Sequence, residues 1–171
     1  EDEGRGRFEV VVQESPGRKR ILLKHALEAY PARASDLPSL ALAWSPDGRY
    51  LAVPLFQQTL GVAIIRADNG RILKAVEDAY FPSWSPDGTK LAFVRGTDFA
   101  TLLYLDTNFG APRVLADIGK TNQAPVWFKQ SILVVARRPG GPGGNAPVRR
   151  SELLRVPIDG SKVEAIPLVD T

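Results

Sequence analysis

Residues 44–53 read Trp-Ser-Pro-Asp-Gly-Arg-Tyr-Leu-Ala-Val, and residues 84–93 read Trp-Ser-Pro-Asp-Gly-Thr-Lys-Leu-Ala-Phe. The two stretches begin forty residues apart, and eight of their ten positions are identical or similar, so they are copies of one repeat. A weaker third copy begins at Trp127, where Phe-Lys-Gln-Ser replaces Ser-Pro-Asp-Gly. A repeat of this period is typical of solenoids, propellers and other arrays.

Each copy also has a second half, in which an apolar run precedes a turn that ends in glycine and a second, shorter apolar run follows. Residues 8–24, around Pro16-Gly17, reproduce only this second half. We therefore expect four short strands per unit, called a to d, and about 14 strands in all. The predicted fold is all-β: a propeller-like array of about three four-stranded blades plus an N-terminal half blade, forming an incomplete ring. Residues 1–38 form the half blade, a β-hairpin, with its connecting loop, and residues 39–171 form the three blades, together one domain.

The repeated turn predicts a tight hairpin between strands a and b. Proline at position 46 fixes φ near −65°, and Gly48 accepts the positive φ that closes the turn. We expect Asp47 and Asp87 to be turn residues, with ion binding or catalysis as the alternative. Three tryptophans share one repeated position, where a large ring fills the space between neighbouring sheets. We expect all three to be core residues, with stacking on a ligand as the alternative: Trp44, Trp84 and Trp127.

At these residues the sequence resembles the WD40-like repeat of the TolB type, whose blades carry Trp-Ser-Pro-Asp-Gly followed by Leu-Ala. The match is strong in the two blades begun by Trp44 and Trp84 and weak in the third. The resemblance implies a β-propeller, often exported to the bacterial periplasm and used for protein–protein contact. The same repeat also forms the N-terminal propeller of larger peptidases, so the fold alone does not determine activity.

The composition excludes many kinds of catalytic site. The 171 residues include no cysteine and one histidine, which removes disulfides, thiolate nucleophiles and multi-histidine metal centres. The sequence has no Gly-x-Ser-x-Gly, P-loop or His-Glu-x-x-His motif. We expect no enzymatic activity, and we assign no catalytic residue, cofactor or metal site. The single histidine, His25, is interpreted as a structural or surface residue rather than a catalytic one.

The charge and hydropathy patterns bear on the partner and the compartment. The net charge is only +3, and no nucleic-acid-binding motif is present, which argues against a nucleic-acid partner. No apolar run approaches the roughly 18 residues that span a bilayer. We expect a protein partner in a larger complex, with contact to a membrane complex left open, and a location in the periplasm or cell envelope.

The longer connections predict the interaction face. In a propeller the b–c and d–a loops emerge on one face, which places segments 25–38 and 138–150 together. The second segment is a Gly/Pro-rich insertion flanked by arginines, which suit carboxylate or phosphate groups. A solvated flexible loop is the alternative. The candidate partner-binding residues are Tyr30, Phe56, Phe99, Arg137, Arg138, Arg149 and Arg150.

Three and a half blades are fewer than closed propellers use, so sheet edges and one blade face are expected to lack neighbours. Either the missing blades lie in sequence outside this segment, or another subunit covers the open side. We expect a non-catalytic scaffold or accessory subunit that binds another protein. The alternatives are a propeller segment of a larger hydrolase or peptidase and a propeller that binds a small ligand.

Overall fold

The computed structural model describes residues 7–26, 42–56, 60–96, 101–140 and 146–167. In this part of the chain all regular structure is β: fourteen strands form one two-stranded and three four-stranded antiparallel sheets. The same residues contain no helix long and apolar enough to cross a membrane. The predicted fold class and the predicted strand number are confirmed. The division at residue 38 stays a prediction.

The sheets follow one another along the chain in the predicted order. The half blade contains β1 (Arg7–Ser15) and β2 (Arg18–Ala26). Blade 1 contains β3 (Ala43–Trp44), β4 (Tyr50–Phe56), β5 (Leu60–Arg66) and β6 (Ile72–Glu77). Blade 2 contains β7 (Ala79–Trp84), β8 (Lys90–Arg95), β9 (Thr101–Asp106) and β10 (Arg113–Asp117). Blade 3 contains β11 (Val126–Phe128), β12 (Ser131–Gly140), β13 (Ala146–Pro157) and β14 (Glu164–Ile166). In each blade, sequential strands are neighbours, which is the propeller meander.

The repeated turn is held by its own polar side chains. The Ser45 hydroxyl donates to Asp47 Oδ1 at 2.6 Å and accepts from the Tyr50 amide at 2.9 Å. Gly48 has φ +68°, as the tight turn requires. The same two serine bonds recur in blade 2. The interpretation of both aspartates as turn residues is confirmed by these contacts.

The degraded third turn closes in a different way. Phe128 pairs directly with Ser131, so only Lys129 and Gln130 connect β11 to β12. Lys129 takes φ +53°, a left-handed conformation that costs a non-glycine residue energy. Blade 3 therefore keeps the hairpin although it has lost the Pro-Asp-Gly turn.

Alternation along the central strands builds the core. In β4, Leu51 and Val53 are buried against the half blade, whereas Ala52 between them is buried against blade 2. This period of two lets one sheet contribute to two interfaces. The core therefore consists of successive layers between neighbouring sheets rather than one central cluster.

The insertion in blade 3 corrects one expectation. We expected residues 138–150 to form a b–c loop, but β12 and β13 run on into it as a long antiparallel hairpin. The pairing continues through Arg138 and Arg150 as far as Gly140 and Ala146. Backbone pairing prolongs the two strands because the insertion adds residues to both of them. We call the extension from Arg137 to Ser151 the basic hairpin.

Candidate functional site

The tryptophans connect each blade to the one before it. Trp84 Nε1 donates to the main-chain oxygen of Ala43 at 3.0 Å, and Trp127 Nε1 donates to that of Ser83 at 2.8 Å. In both cases the acceptor is the residue immediately before the tryptophan of the preceding blade. Trp84 also stacks on Tyr50 of blade 1, with ring centroids 5.9 Å apart. The repeated indole therefore joins consecutive blades in two ways: its apolar ring packs against the preceding blade, and its N–H donates one hydrogen bond to that blade's main chain.

Trp44 occupies the same repeated position but is not buried, so the expectation that all three tryptophans lie in the core is wrong for it. Its exposed fraction is 46%, against 8% for Trp84. Among the described residues, the half blade in front of Trp44 has two strands, and none of them takes the inner position that carries the acceptor carbonyl in the full blades. Within the described ranges, no atom accepts a hydrogen bond from the Trp44 indole.

The half blade packs against blade 1 through both of its strands. Leu22 of β2 and Val10 of β1 are buried against blade 1. Arg20 donates to the main-chain oxygen of Ala67 at 2.8 Å and also to that of Asp68, at the turn between β5 and β6. These contacts place β1 and β2 in the positions of strands c and d.

One edge of the half blade is open. In blade 1, the equivalent strand β5 pairs with β4 on its inner side and β6 on its outer side. Among the described residues β1 pairs with β2 alone, so its inner backbone edge has no partner strand there. Leu42 lies two residues before Trp44 in the sequence and is 53% exposed. We call the inner edge of β1 together with Leu42 and Trp44 the N-terminal open end.

The other end of the array exposes an apolar face. Val126 and Phe128 flank Trp127 in β11 and are 59% and 48% exposed. Leu133, which pairs with Val126, is partly exposed, whereas its counterparts Ala52 and Ala92 in the other blades are fully buried. In blades 1 and 2 the equivalent face packs against the next blade. In blade 3 this face points away from blade 2 and is exposed at Val126 and Phe128. We call it the C-terminal open face.

The basic hairpin concentrates positive charge. Arg138 lies directly across from Arg150 and Arg137 across from Ser151, so one cross-strand pair consists of two arginines. The Arg137 amide donates to the main-chain oxygen of Lys120 at 2.6 Å, which brings a fifth basic residue to the base of the hairpin.

The structure describes the predicted partner-binding residues unequally. Arg137 is exposed on β12. The backbones of Phe56, Arg138, Arg149 and Arg150 lie in strands β4, β12 and β13, and their side chains lie outside the described part. Tyr30 and Phe99 lie outside the described residues, as does most of segment 25–38. The grouping of all seven residues on one face therefore stays a prediction.

Two structural features of the candidate site were not singled out from the sequence. They are the exposed pair Val126 and Phe128, and the carbonyl of the residue before each tryptophan. The lost Pro-Asp-Gly turn marks blade 3 as different, but nothing in the sequence indicates which of its faces is uncovered.

Among the described residues, the carboxyl groups with a lowered pKa lie in turns or in exposed ion pairs. The Ser85 hydroxyl and then the Thr89 amide and hydroxyl donate to Asp87, which lowers the pKa of this carboxyl to about 2. The Ser45 hydroxyl similarly lowers the pKa of Asp47. In the described part of the chain, no three His, Cys, Asp or Glu side chains converge as a metal site would require. The depressed pKa values therefore reflect turn geometry rather than a poised acid or base.

Comparisons with known proteins identify the fold. No protein-family model matches the chain, and no curated protein matches it in sequence. Among solved structures, TolB from Acinetobacter baumannii matches with a TM-score of 0.63 at 14% identity, over 95% of this chain and 42% of its own. The structure of putative TolB from Agrobacterium tumefaciens gives 0.55 at 18%, over 89% and 66%. The β-propeller domain of the Trilobed protease from Pyrococcus furiosus gives 0.54 at 16%, over 73% and 40%.

The fold is therefore a TolB-like β-propeller, as the Trp-Ser-Pro-Asp-Gly repeat predicted. The ring is not closed, since the described strands form three full blades and one half blade. The chain spans between 40% and 66% of the length of these three matched chains. At identities below 20% the similarity establishes architecture and not activity.

Proposed function

We propose that this chain is a non-catalytic propeller scaffold or accessory subunit that binds another protein within a larger assembly. The C-terminal open face is the observation that carries the proposal. Val126 and Phe128 are exposed on this face, whereas blades 1 and 2 bury the equivalent face against the next blade. A contiguous apolar face of this kind marks a protein contact.

We place the assembly in the periplasm or cell envelope. The TolB-like fold supports this location, and fractionation of the source cells with an antibody against the chain tests it. Recovery of the chain in the cytoplasmic fraction alone would overturn this part of the proposal. The location is independent of the binding face.

Photo-crosslinking in the source cells tests the binding function directly. A benzophenone amino acid is placed at Val126 and, as a matched control, at Val114, which is 67% exposed on β10 but lies on the outer strand of blade 2. We expect a discrete protein adduct from position 126 and none from position 114. Equal adducts at both positions, or none at either, would contradict the proposal.

A second candidate function is a propeller segment of a larger hydrolase. The match to the propeller domain of the Trilobed protease supports it. A fluorophosphonate probe for reactive serines distinguishes the two functions when it is applied to the native protein that contains this chain. Labelling of the same polypeptide that carries the chain would favour the hydrolase, and absence of labelling together with an adduct at position 126 favours the scaffold.

A further inference from the structure

We propose that the basic hairpin inserts into an acidic cleft of a protein partner, whose carboxylate groups line both walls and face the two sides of the hairpin. This inference rests on the proposed binding function and specifies the chemistry of one contact. Both strands of the hairpin, β12 and β13, belong to one blade. The proposal therefore does not depend on either end of the blade array.

The basic hairpin projects beyond the neighbouring ladders. In blade 1, the ladder between β4 and β5 ends at its seventh pair, Phe56 with Leu60. The seventh pair between β12 and β13 is Arg137 with Ser151, and this ladder continues as far as Gly140. Three more residues of strand correspond to about 10 Å, at roughly 3.3 Å per residue. The hairpin therefore rises about 10 Å above the level at which the ladder of blade 1 ends.

The base of the hairpin is held by the connection between blades 2 and 3. The Arg137 amide donates to the main-chain oxygen of Lys120 at 2.6 Å, which adds a third backbone segment beside β12. Ile118 and Thr121, on either side of Lys120, are buried, so this connection is fixed to the core. A fixed base holds the projecting part in one direction and lowers the entropy cost of binding.

Arginines occupy both faces of the hairpin. Residues alternate between the two faces along a strand, and the two residues of a cross-strand pair share one face. Arg138 and Arg150 form such a pair, on the same face as Ala136, which is buried against blade 2. Arg137 is exposed on the opposite face, and alternation along β13 places Arg149 there as well. A partner that covered one face alone would leave two arginines uncovered, whereas a cleft offers carboxylates to all four.

The positive charge is confined to the hairpin. Residues 137–151 contain four arginines and no aspartate or glutamate, and the rest of the chain has 18 basic and 19 acidic residues. A nucleic acid gains affinity from basic residues along its length, and this chain offers it no net attraction outside the hairpin. A compact group of carboxylates in a protein cleft matches the localised charge.

The composition of the tip favours a cleft over a membrane surface. Residues 139–147 consist only of proline, glycine, asparagine and alanine, whose small side chains keep the tip narrow. Basic segments that bind membrane surfaces also carry tryptophan, phenylalanine or leucine, and residues 137–151 contain none of these. The tip therefore lacks the apolar anchors that a lipid surface would need.

Photo-crosslinking in the source cells tests the contact in the native assembly. A benzophenone amino acid is placed at Ala146, in the last pair of the hairpin, and at Ser161 as a control, which is exposed in the turn after β13. We expect a protein adduct from position 146 and none from position 161. Mass spectrometry should map the adduct to a segment of the partner with several aspartates or glutamates. An adduct on a segment without carboxylates would overturn the proposal.

Two double variants test whether both faces are bound. Arg138→Ser with Arg150→Ser neutralises one face, and Arg137→Ser with Arg149→Ser neutralises the other. Each should bind the partner identified by the crosslink about 10- to 100-fold more weakly in titration calorimetry. The control, Arg71→Ser with Lys162→Ser, removes the same net charge from exposed turns and should bind like the original chain. Loss of affinity in only one double variant would show a flat contact and overturn the cleft.

A shortened chain separates binding from folding. Asn-Gly replaces residues 138–150, so that a two-residue turn closes the ladder at Arg137 and Ser151. We expect an unchanged melting temperature and loss of the contact with the partner. A large fall in melting temperature would assign the hairpin a structural role and overturn the proposal.

Two other anionic surfaces are tested with the purified chain. Binding to phosphatidylglycerol vesicles or to a short DNA duplex that the shortened chain loses would identify a lipid surface or a nucleic acid as the occupant and overturn the proposal. No adduct from position 146 together with an adduct from position 126 would overturn this inference and leave the proposed function in place. No adduct from either position would contradict both.

Discussion

Truncation of Trp84 and of Trp44 should have very different costs, although the two residues occupy the same position of the repeat. Trp84 is 8% exposed, stacks on Tyr50 and donates to the Ala43 oxygen at 3.0 Å. Replacing it with alanine removes a buried aromatic ring, which costs about 3–5 kcal/mol of unfolding free energy. Trp44 is 46% exposed, so the same replacement there should cost about 1 kcal/mol or less.

A conservative variant separates the hydrogen bond from the packing. Trp84→Phe keeps most of the ring contact but leaves the Ala43 oxygen without its donor. The lost hydrogen bond costs about 0.5–1.5 kcal/mol, and the smaller ring adds about 1 kcal/mol, for a total of about 1.5–2.5 kcal/mol. Trp44→Phe has no such bond to lose within the described structure and should be nearly neutral.

Urea unfolding monitored by far-ultraviolet circular dichroism measures these differences, since tryptophan fluorescence changes with the substitutions themselves. Dilute protein keeps self-association from adding to the measured stability. If Trp44→Ala costs as much as Trp84→Ala, Trp44 is buried and the open end does not exist. If Trp84→Phe is neutral, the bond to Ala43 does not hold the blades together.

Three further perturbations test separate parts of the structure. Gly70 has φ +73°, and a Cβ there would overlap the main-chain oxygen of Leu22. Gly160 has a similar φ of +79°, but no atom lies near the place of its Cβ. Gly70→Ala should therefore loosen the half blade and lower the free energy of unfolding several times more than Gly160→Ala, which thermal melting measures. The hydrogen bonds from Ser85 and Thr89 lower the pKa of folded Asp87 to about 2, from the ordinary aspartate value of 3.8, so its ionised form stabilises the fold above about pH 4 and this contribution is lost as the pH falls from about 4 towards 2. Asp87→Asn should therefore flatten the loss of stability in that range, and an unchanged slope in acid-unfolding curves would refute the assignment. Replacing all four arginines of the basic hairpin with serine should weaken binding of the crosslinked partner and reduce its salt dependence, whereas unchanged affinity would leave the hairpin without a binding role.

Local repetition made the fold predictable from sequence. The Trp-Ser-Pro-Asp-Gly turn encodes its own geometry through residues two to five positions apart, such as Ser45 with Asp47 and Tyr50. Such short-range bonds are visible in any copy of the repeat. The strand order and strand number followed from the copies.

The candidate site was less predictable because it depends on which neighbours are missing. The repeat predicted the same core role for Trp44 as for Trp84. Burial of a tryptophan at this position, however, depends on the preceding blade: Trp84 contacts Ala43, which lies 41 residues earlier in the sequence. The Gly/Pro-rich composition of residues 138–150 favoured a loop, yet the flanking strands extended into it and paired Arg138 with Arg150. The sequence pattern predicts which positions of a blade pack against a neighbour, but only the folded structure shows at which of them the neighbour is missing.

Exchange of the three indole N–H protons with solvent, measured by nuclear magnetic resonance on labelled protein, tests the open ring most directly. We expect the Trp44 proton to exchange rapidly and the Trp84 and Trp127 protons to be protected by their carbonyl acceptors. Equal protection of all three protons in the isolated chain would contradict the open N-terminal end and, with it, the account of this chain as a partner-dependent propeller.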